Sequence, residues 1–369
     1  MKFTVPKWEW VAGLSFTLGL AVFGVANRTI DRINGRWTFF EKPLESDGRY
    51  YLFQSQRYRG LSIEDATKSV EGVFGYGTFG IENQNPLAIP IVETRPMYPF
   101  LTSILGPASK FSLMAFPILA WFMIHYLIYL YLVKTFSFFP VLIVQAIVSS
   151  SFYFRYNLIA STTDALALLL ILPYLRVCFS EFRLFKFYYI TYITTVLSFF
   201  VRPMSPFIIM VSCMMLLYSK SRLDRIFHIL TVLSASVHLF YLQVFENQVT
   251  IQANINSTSL NTGFLIEVIA KIPIIIGTEF AFLAANDTLL FVLVILGLVS
   301  SFKLGGRYRA LTITVFIASF LVAAVNGTIG NGFRYQLPII IIIIPMILLF
   351  IGKYVPKEFY SLSRSKSKN

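Results

Sequence analysis

Runs of mostly apolar residues, each near the length of a bilayer-crossing helix, recur along this chain almost from end to end. Such a helix needs about 20 residues. Lipid satisfies no backbone N–H or C=O group, so a chain made of these runs must close its hydrogen bonds within helices. Ten runs fit, near 10–26, 112–133, 137–154, 158–178, 187–201, 204–219, 226–245, 287–302, 310–326 and 337–352. Pro117, Pro140, Pro173, Pro206 and Pro345 interrupt several of them, which membrane helices tolerate where neighbours satisfy the freed carbonyls. With 56% hydrophobic and 13% charged residues, the chain holds about half the charge of a soluble domain, which is roughly 25% charged. A soluble enzyme and a disordered chain are both excluded. The expected fold is an all-α polytopic membrane protein of about ten transmembrane helices.

The charges orient this array. With the N-terminus inside, the inner segments hold seventeen basic residues: Lys2, Lys7, Lys134, Arg176, Arg183, Lys186, Lys220, Arg222, Arg225, Lys303, Arg307, Arg309, Lys353, Lys357, Arg364, Lys366 and Lys368. Apart from the long first connection, the outer segments hold only Arg155, Arg202, Lys271 and Arg334. Long loops cross regardless of charge, so the asymmetry places both termini in the cytoplasm with an even number of spans. Eight or twelve spans would satisfy the same test. The net charge of +13 is then a property of cytoplasmic loops, and no nucleic-acid partner is expected. Lys2 and Lys7 ahead of an apolar run, with Gly24 and Ala26 behind it, also fit a signal peptide; a retained anchor is the reading adopted.

Residues 1–355 are expected to form one transmembrane domain, with 356–369 as a cytoplasmic tail rich in Ser and Lys. Residues 27–111 are its long first outer loop, where Leu61, Ile63, Ala66, Val70 and Val73 recur at the spacing of a short interfacial helix. Residues 246–286 form a second outer loop. Its apolar middle carries Glu267, Lys271 and Glu279 and reads as interfacial or re-entrant. Asn-x-Ser/Thr sequons at Asn27, Asn256, Asn286 and Asn326 all fall outside, a weak agreement.

Several chemistries are missing. His125, His228 and His238 are scattered through apolar runs without metal-ligand spacing, and Cys178 and Cys213 lie in similar runs. There is no Walker A sequence. The polar groups that remain gather on the outer side. Glu45 and Asp47 are two carboxylates two residues apart, followed by Gly48, which permits a tight turn, and by Tyr50 and Tyr51. Carboxylates so spaced can take a proton from a hydroxyl or bind a divalent cation. A second cluster runs Glu93-Thr94-Arg95-Pro96-Met97-Tyr98-Pro99, with prolines stiffening the chain beside Arg95. Asp164 opens the fourth span, Arg202 closes the fifth, and Arg334 precedes the last. An ionisable group at a membrane edge is a candidate for function because burying it is expensive, and the planar fork of arginine suits phosphate.

These residues resemble the GT-C superfamily of membrane glycosyltransferases. Glu45-Ser46-Asp47 is similar to its modified Asp-x-Asp motif in the first outer loop, and Asp47-Gly48-Arg49-Tyr50 to the Asp-Gly-x-x-Tyr of many bacterial members. Arg95-Pro96-Met97-Tyr98-Pro99 resembles their Arg-Pro-x-Tyr-Pro segment, and Arg334-Tyr335-Gln336-Leu337-Pro338 their Arg-Tyr-x-x-Pro. In layout the likeness covers about residues 1–355; in sequence it covers only these motifs. The large C-terminal soluble domain of some members is absent from this chain. The resemblance implies inverting transfer of a sugar from a polyprenyl phosphate to a glycan or lipid acceptor, in a bacterial inner membrane. It implies Asp47 as general base with Glu45 beside it, and Arg334, Arg202 and Arg95 at the donor phosphate. Tyr50, Tyr51, Tyr98 and Asp164 are expected at the substrates. Mg²⁺ or Mn²⁺ is a candidate cofactor, and metal dependence stays open. A Wzy-type polymerase or ligase and a lipid-linked glycan flippase are the alternatives, the first with its key loop late in the chain, the second with charges deep in the bundle.

Overall fold

The computed structural model describes residues 7–33, 41–75, 92–133, 136, 138–159, 163–179, 185–246, 262–325 and 335–354; within these, the side chains of 7–9, 27–33, 41–47, 156, 243–246, 262–265, 267, 268 and 325 lie outside the description. Among the described residues the regular elements are all helices: α1 (Lys7–Ile33), α2 (Glu41–Tyr58), α3 (Ile63–Phe74), α4 (Met97–Ile104), α5 (Lys110–Val133), α6 (Phe138–Ser150), α7 (Phe152–Leu158), α8 (Asp164–Phe179), α9 (Phe185–Val201), α10 (Ser205–Tyr218), α11 (Arg222–Glu246), α12 (Thr262–Asn286), α13 (Thr288–Leu304), α14 (Gly306–Val325) and α15 (Leu337–Tyr354). Five of them, α5, α11, α12, α14 and α15, are long and apolar enough to cross a membrane. Apolar helices of 10–17 residues lie within α1 and at α6, α9, α10 and α13.

Packing between the helices follows from small residues where backbones meet. Gly13, Thr17, Ala21 and Gly24 recur every third or fourth residue and form the buried stripe of α1. A Cβ at Gly24 would come within 2.6 Å of the Trp121 ring, and one at Gly13 would overlap the Tyr129 ring. Glycine at these positions lets α5 lie close, and the Trp121 indole then donates to the Ala21 carbonyl at 3.0 Å. Gly297 does the same between α13 and α15, where a Cβ would meet Ile343 Cγ2 at 2.7 Å.

Two of the three histidines serve this packing. The Ser149 hydroxyl lies 3.2 Å from His125 Nδ1 while Gln145 donates to the His125 carbonyl, tying α5 to α6. Ser205 meets His238 at 2.6 Å, tying α10 to α11.

The bundle has two distinct ends. At one, Asp287 interrupts the chain between α12 and α13 and caps both α13 and α7. Its carboxylate accepts from Leu290 N, from the Ser151 hydroxyl and from Tyr153 N. At the opposite end, Arg307 donates to the Val177 and Cys178 carbonyls, satisfying the orphan acceptors at the close of α8. There the Tyr188 hydroxyl also donates to Asp224, joining α9 to α11.

The first connection forms its own layer. α2 packs on α3 and α4 around Tyr51, Leu52, Phe53, Ala66, Val70 and Tyr98, and this small core continues into Leu113 of α5, Leu166 and Ala167 of α8 and Val201 of α9. Ser62 caps α3 by accepting from Asp65 N. Of the face expected on a membrane-lying helix, Ala66 and Val70 are enclosed by the layer itself and Ile63 is 52% exposed. Ala66 and Val70 thus pack within the layer, while Ile63 stays open to the surroundings. Two further segments differ from expectation. Gly48 is buried inside α2 and makes no turn. In 246–286, α12 is a continuous helix of 25 residues, with Ile269–Asn286 long and apolar enough to cross a membrane.

Candidate functional site

Asp164 is the first residue of α8, and Arg202 immediately follows the end of α9. A carboxylate suits the positive start of a helix dipole and a guanidinium its negative end, so both charges complement their own helices. The two form an ion pair and are only 3% and 5% exposed. Pro203 stops α9 directly after Arg202, which fixes where that side chain departs. The Arg202 guanidinium lies 4.4 Å over the Tyr335 ring, a cation–π contact strengthened by loss of water.

These three residues line a cleft of about 370 Å³ whose remaining wall is mostly apolar, from Leu168, Ile171, Met204 and Phe207 to Leu337 and Pro338. Ser319 of α14 also lines it, and its buried hydroxyl has no hydrogen-bond partner among the described residues. Close by in sequence are two more buried groups in that condition, the Thr163 hydroxyl and both polar atoms of the Gln336 amide. A buried, unmatched polar atom costs roughly 1–3 kcal/mol. Ser319, inside the cleft wall, marks a place where a polar ligand would be welcome.

The second cluster belongs to the α2–α4 layer. Arg95 Nη1 donates to the Tyr51 hydroxyl at 3.0 Å. Tyr51 meets Tyr98 edge to face with centroids 5.0 Å apart, and the Tyr98 hydroxyl donates to the Leu113 carbonyl at 2.5 Å. Burial first, and then the neighbouring Tyr51, push the Tyr98 hydroxyl well above the usual tyrosine range, so it remains a donor. Both rings are enclosed and pack on each other, leaving no face for stacking on a sugar. Tyr50 is half-buried at the edge of the same core. Ala167 joins the two clusters, since it belongs to the core of this layer and also lines the Asp164–Arg202 cleft.

The expected site residues are thus distributed as follows. Asp164 and Arg202 meet; Arg95, Tyr51 and Tyr98 meet; Ala167 connects the groups. Glu45 and Asp47 fall in the first turns of α2, with side chains outside the description, and Arg334 lies outside the described residues. Among the described residues no three His, Cys, Asp or Glu side chains gather as a metal site. Sequence reading missed Ser319, Thr163 and Gln336 as groups in want of a partner. A serine in an apolar run is common, and only the cleft distinguishes this one. No family model, no curated protein and no solved structure matches this chain.

Proposed function

We propose that this chain is a membrane glycosyltransferase acting on a polyprenyl-phosphate sugar, with its site at the end of the bundle covered by the α2–α4 layer. One observation carries the reading: a carboxylate and a guanidinium buried together beside Tyr335, in a cleft that shares Ala167 with the core of that layer and holds the unmatched Ser319 hydroxyl. The four short motifs described above, in their order along the chain, support it.

In this mechanism the acceptor oxygen attacks the anomeric carbon as the bond to the donor phosphate breaks. The hydroxyl proton passes to the Asp47 carboxylate, and the polyprenyl phosphate departs as an anion. The transition state resembles an oxocarbenium ion. Arg202 and Arg334 face the negative charge growing on phosphate, the most effective kind of stabilisation in a water-poor site. Asp164 takes a different part from the substrate contact its position suggested: it holds the guanidinium of Arg202 in place. Arg95 acts through Tyr51 by fixing α2 against the layer. Helix α2 runs through both Glu45 and Asp47, and positions two apart on a helix do not share a face, so the two carboxylates would not close together on one Mg²⁺ or Mn²⁺ ion as their spacing suggested. Both termini face the cytoplasm in this scheme, and the site opens to the other side of a bacterial inner membrane.

The test uses the full chain in lipid nanodiscs with a panel of radiolabelled polyprenyl-phosphate sugars, with and without Mg²⁺ or Mn²⁺. Consumption of one donor by the native protein and its loss in Asp47→Asn, at equal expression, is the expected result. Consumption of no donor would overturn the assignment, and near-native activity in Asp47→Asn would remove that residue from the role.

A further inference from the structure

A second cavity lies along the same helices, toward the opposite end of the bundle. It is a half-open furrow between α5, α8 and α15 with about 470 Å³ of free space, part of it open to the surroundings, and its wall is almost wholly apolar. Leu172, Leu175 and Ile341 are among its buried lining residues. The half-buried ones are Tyr131, Phe136 and Arg176. All three stand near the close of α5 or α8, at the end where Arg307 caps α8. The mouth is therefore at that end and the closed part runs toward the bundle centre. Arg176 is the one charged group in the lining and lies 5.9 Å over the Tyr131 ring.

An apolar furrow with an arginine at its mouth matches one kind of occupant. A hydrocarbon chain fills the furrow, while a phosphodiester beside the guanidinium accepts charge-assisted hydrogen bonds. We propose that this furrow binds one anionic glycerophospholipid from the leaflet at its own end of the bundle, one acyl chain between α8 and α15 and its phosphate at Arg176. The charge selects the headgroup: a zwitterionic lipid carries its own cation, which repels Arg176. The position argues against the polyprenyl donor, whose phosphate belongs in the proposed reaction at the Asp164–Arg202 end. That choice between a glycerophospholipid and a polyprenyl phosphate rests on the proposed function; the furrow and its arginine do not.

The experiment is native mass spectrometry of the purified full-length protein titrated with phosphatidylglycerol or with phosphatidylcholine of the same chains. One phosphatidylglycerol per protein is expected to persist where phosphatidylcholine is lost. Arg176→Gln is expected to weaken retention about tenfold, the value of one charge-assisted hydrogen bond, and to abolish the preference. Leu175→Trp fills the furrow and is expected to remove binding of both lipids. If that variant fails to assemble, Ile341→Phe obstructs the same space from α15 with a smaller insertion. Equal retention of the two lipids by the native protein, or native retention in Arg176→Gln, would overturn the proposal. So would native retention in the furrow-filling variant, or stoichiometric displacement of the phospholipid by undecaprenyl phosphate.

Discussion

Replacing Arg202 by Leu removes a guanidinium but leaves Asp164 where it is, 3% exposed and on the first turn of α8. A buried carboxylate that loses its partner destabilises a protein by about 3–5 kcal/mol. That is between two and four powers of ten in the folding equilibrium, at about 1.4 kcal/mol per decade. Asp164→Leu alone should cost a similar amount, because Arg202 stays buried and loses its carboxylate partner; its cation–π contact with Tyr335 returns only about 1–2 kcal/mol. The double variant Asp164→Leu/Arg202→Leu restores an apolar interior. Replacing a buried ion pair by well-packed apolar groups is commonly neutral or stabilising by about 1–4 kcal/mol. The double variant should therefore be more stable than either single variant, a coupling of several kcal/mol with the sign opposite to additive damage. Reversible unfolding in mixed SDS and mild-detergent micelles measures all four proteins. The same four are then assayed for sugar transfer, where both singles and the double should be silent if Arg202 faces the leaving phosphate. Losses below about 1 kcal/mol for the single variants, or a double whose loss is their sum, would refute the argument that the pair is buried and mutually dependent.

Three other outcomes are expected. Tyr98→Phe removes the hydrogen bond to the Leu113 carbonyl and should cost about 0.5–1.5 kcal/mol. Because burial raises the Tyr98 hydroxyl while an unfolded tyrosine ionises near pH 10, its stabilisation is complete below about pH 10 and falls as pH rises beyond it; an alkaline unfolding series should lose part of that slope in the Phe variant. Asp287→Ala uncaps α13 and removes the acceptor for Tyr153 N and the Ser151 hydroxyl at the start of α7, where Ser151 still accepts from Phe154 N; it should cost roughly 2 kcal/mol or more, a cap alone being worth about 0.5–2 kcal/mol, and Asp287→Asn should recover much of it in the same unfolding assay. Gly24→Val drives a side chain into Trp121 and should cost about 1–3 kcal/mol by overpacking, with a shifted tryptophan emission as α1 leaves α5.

The run of apolar segments and their Lys and Arg flanks made the helical membrane character readable directly, because lipid admits few other backbones. Charged residues at helix ends were equally legible as candidates. The pairing of Asp164 with Arg202 was not, since 38 positions separate them in the chain and nothing local links the start of α8 to the end of α9. Gly48 read as a turn because its neighbours are polar and tyrosine-rich, but helix α2 finds partners in α3 and α4 that no local pattern names. The same holds for Ile63, whose periodic face met a protein surface on one side and not on all.

What the sequence determined alone was solvent and period: which stretches must be helical, and which ends carry charge. Those properties depend on composition over a few turns. Tertiary structure decided which polar groups are matched and which are stranded. Ser319 and Ser149 are both serines in apolar helices, yet the first faces a cleft without a partner and the second bonds to the Gln145 carbonyl and lies beside His125. The difference is set by what stands opposite, and opposite is a property of three dimensions.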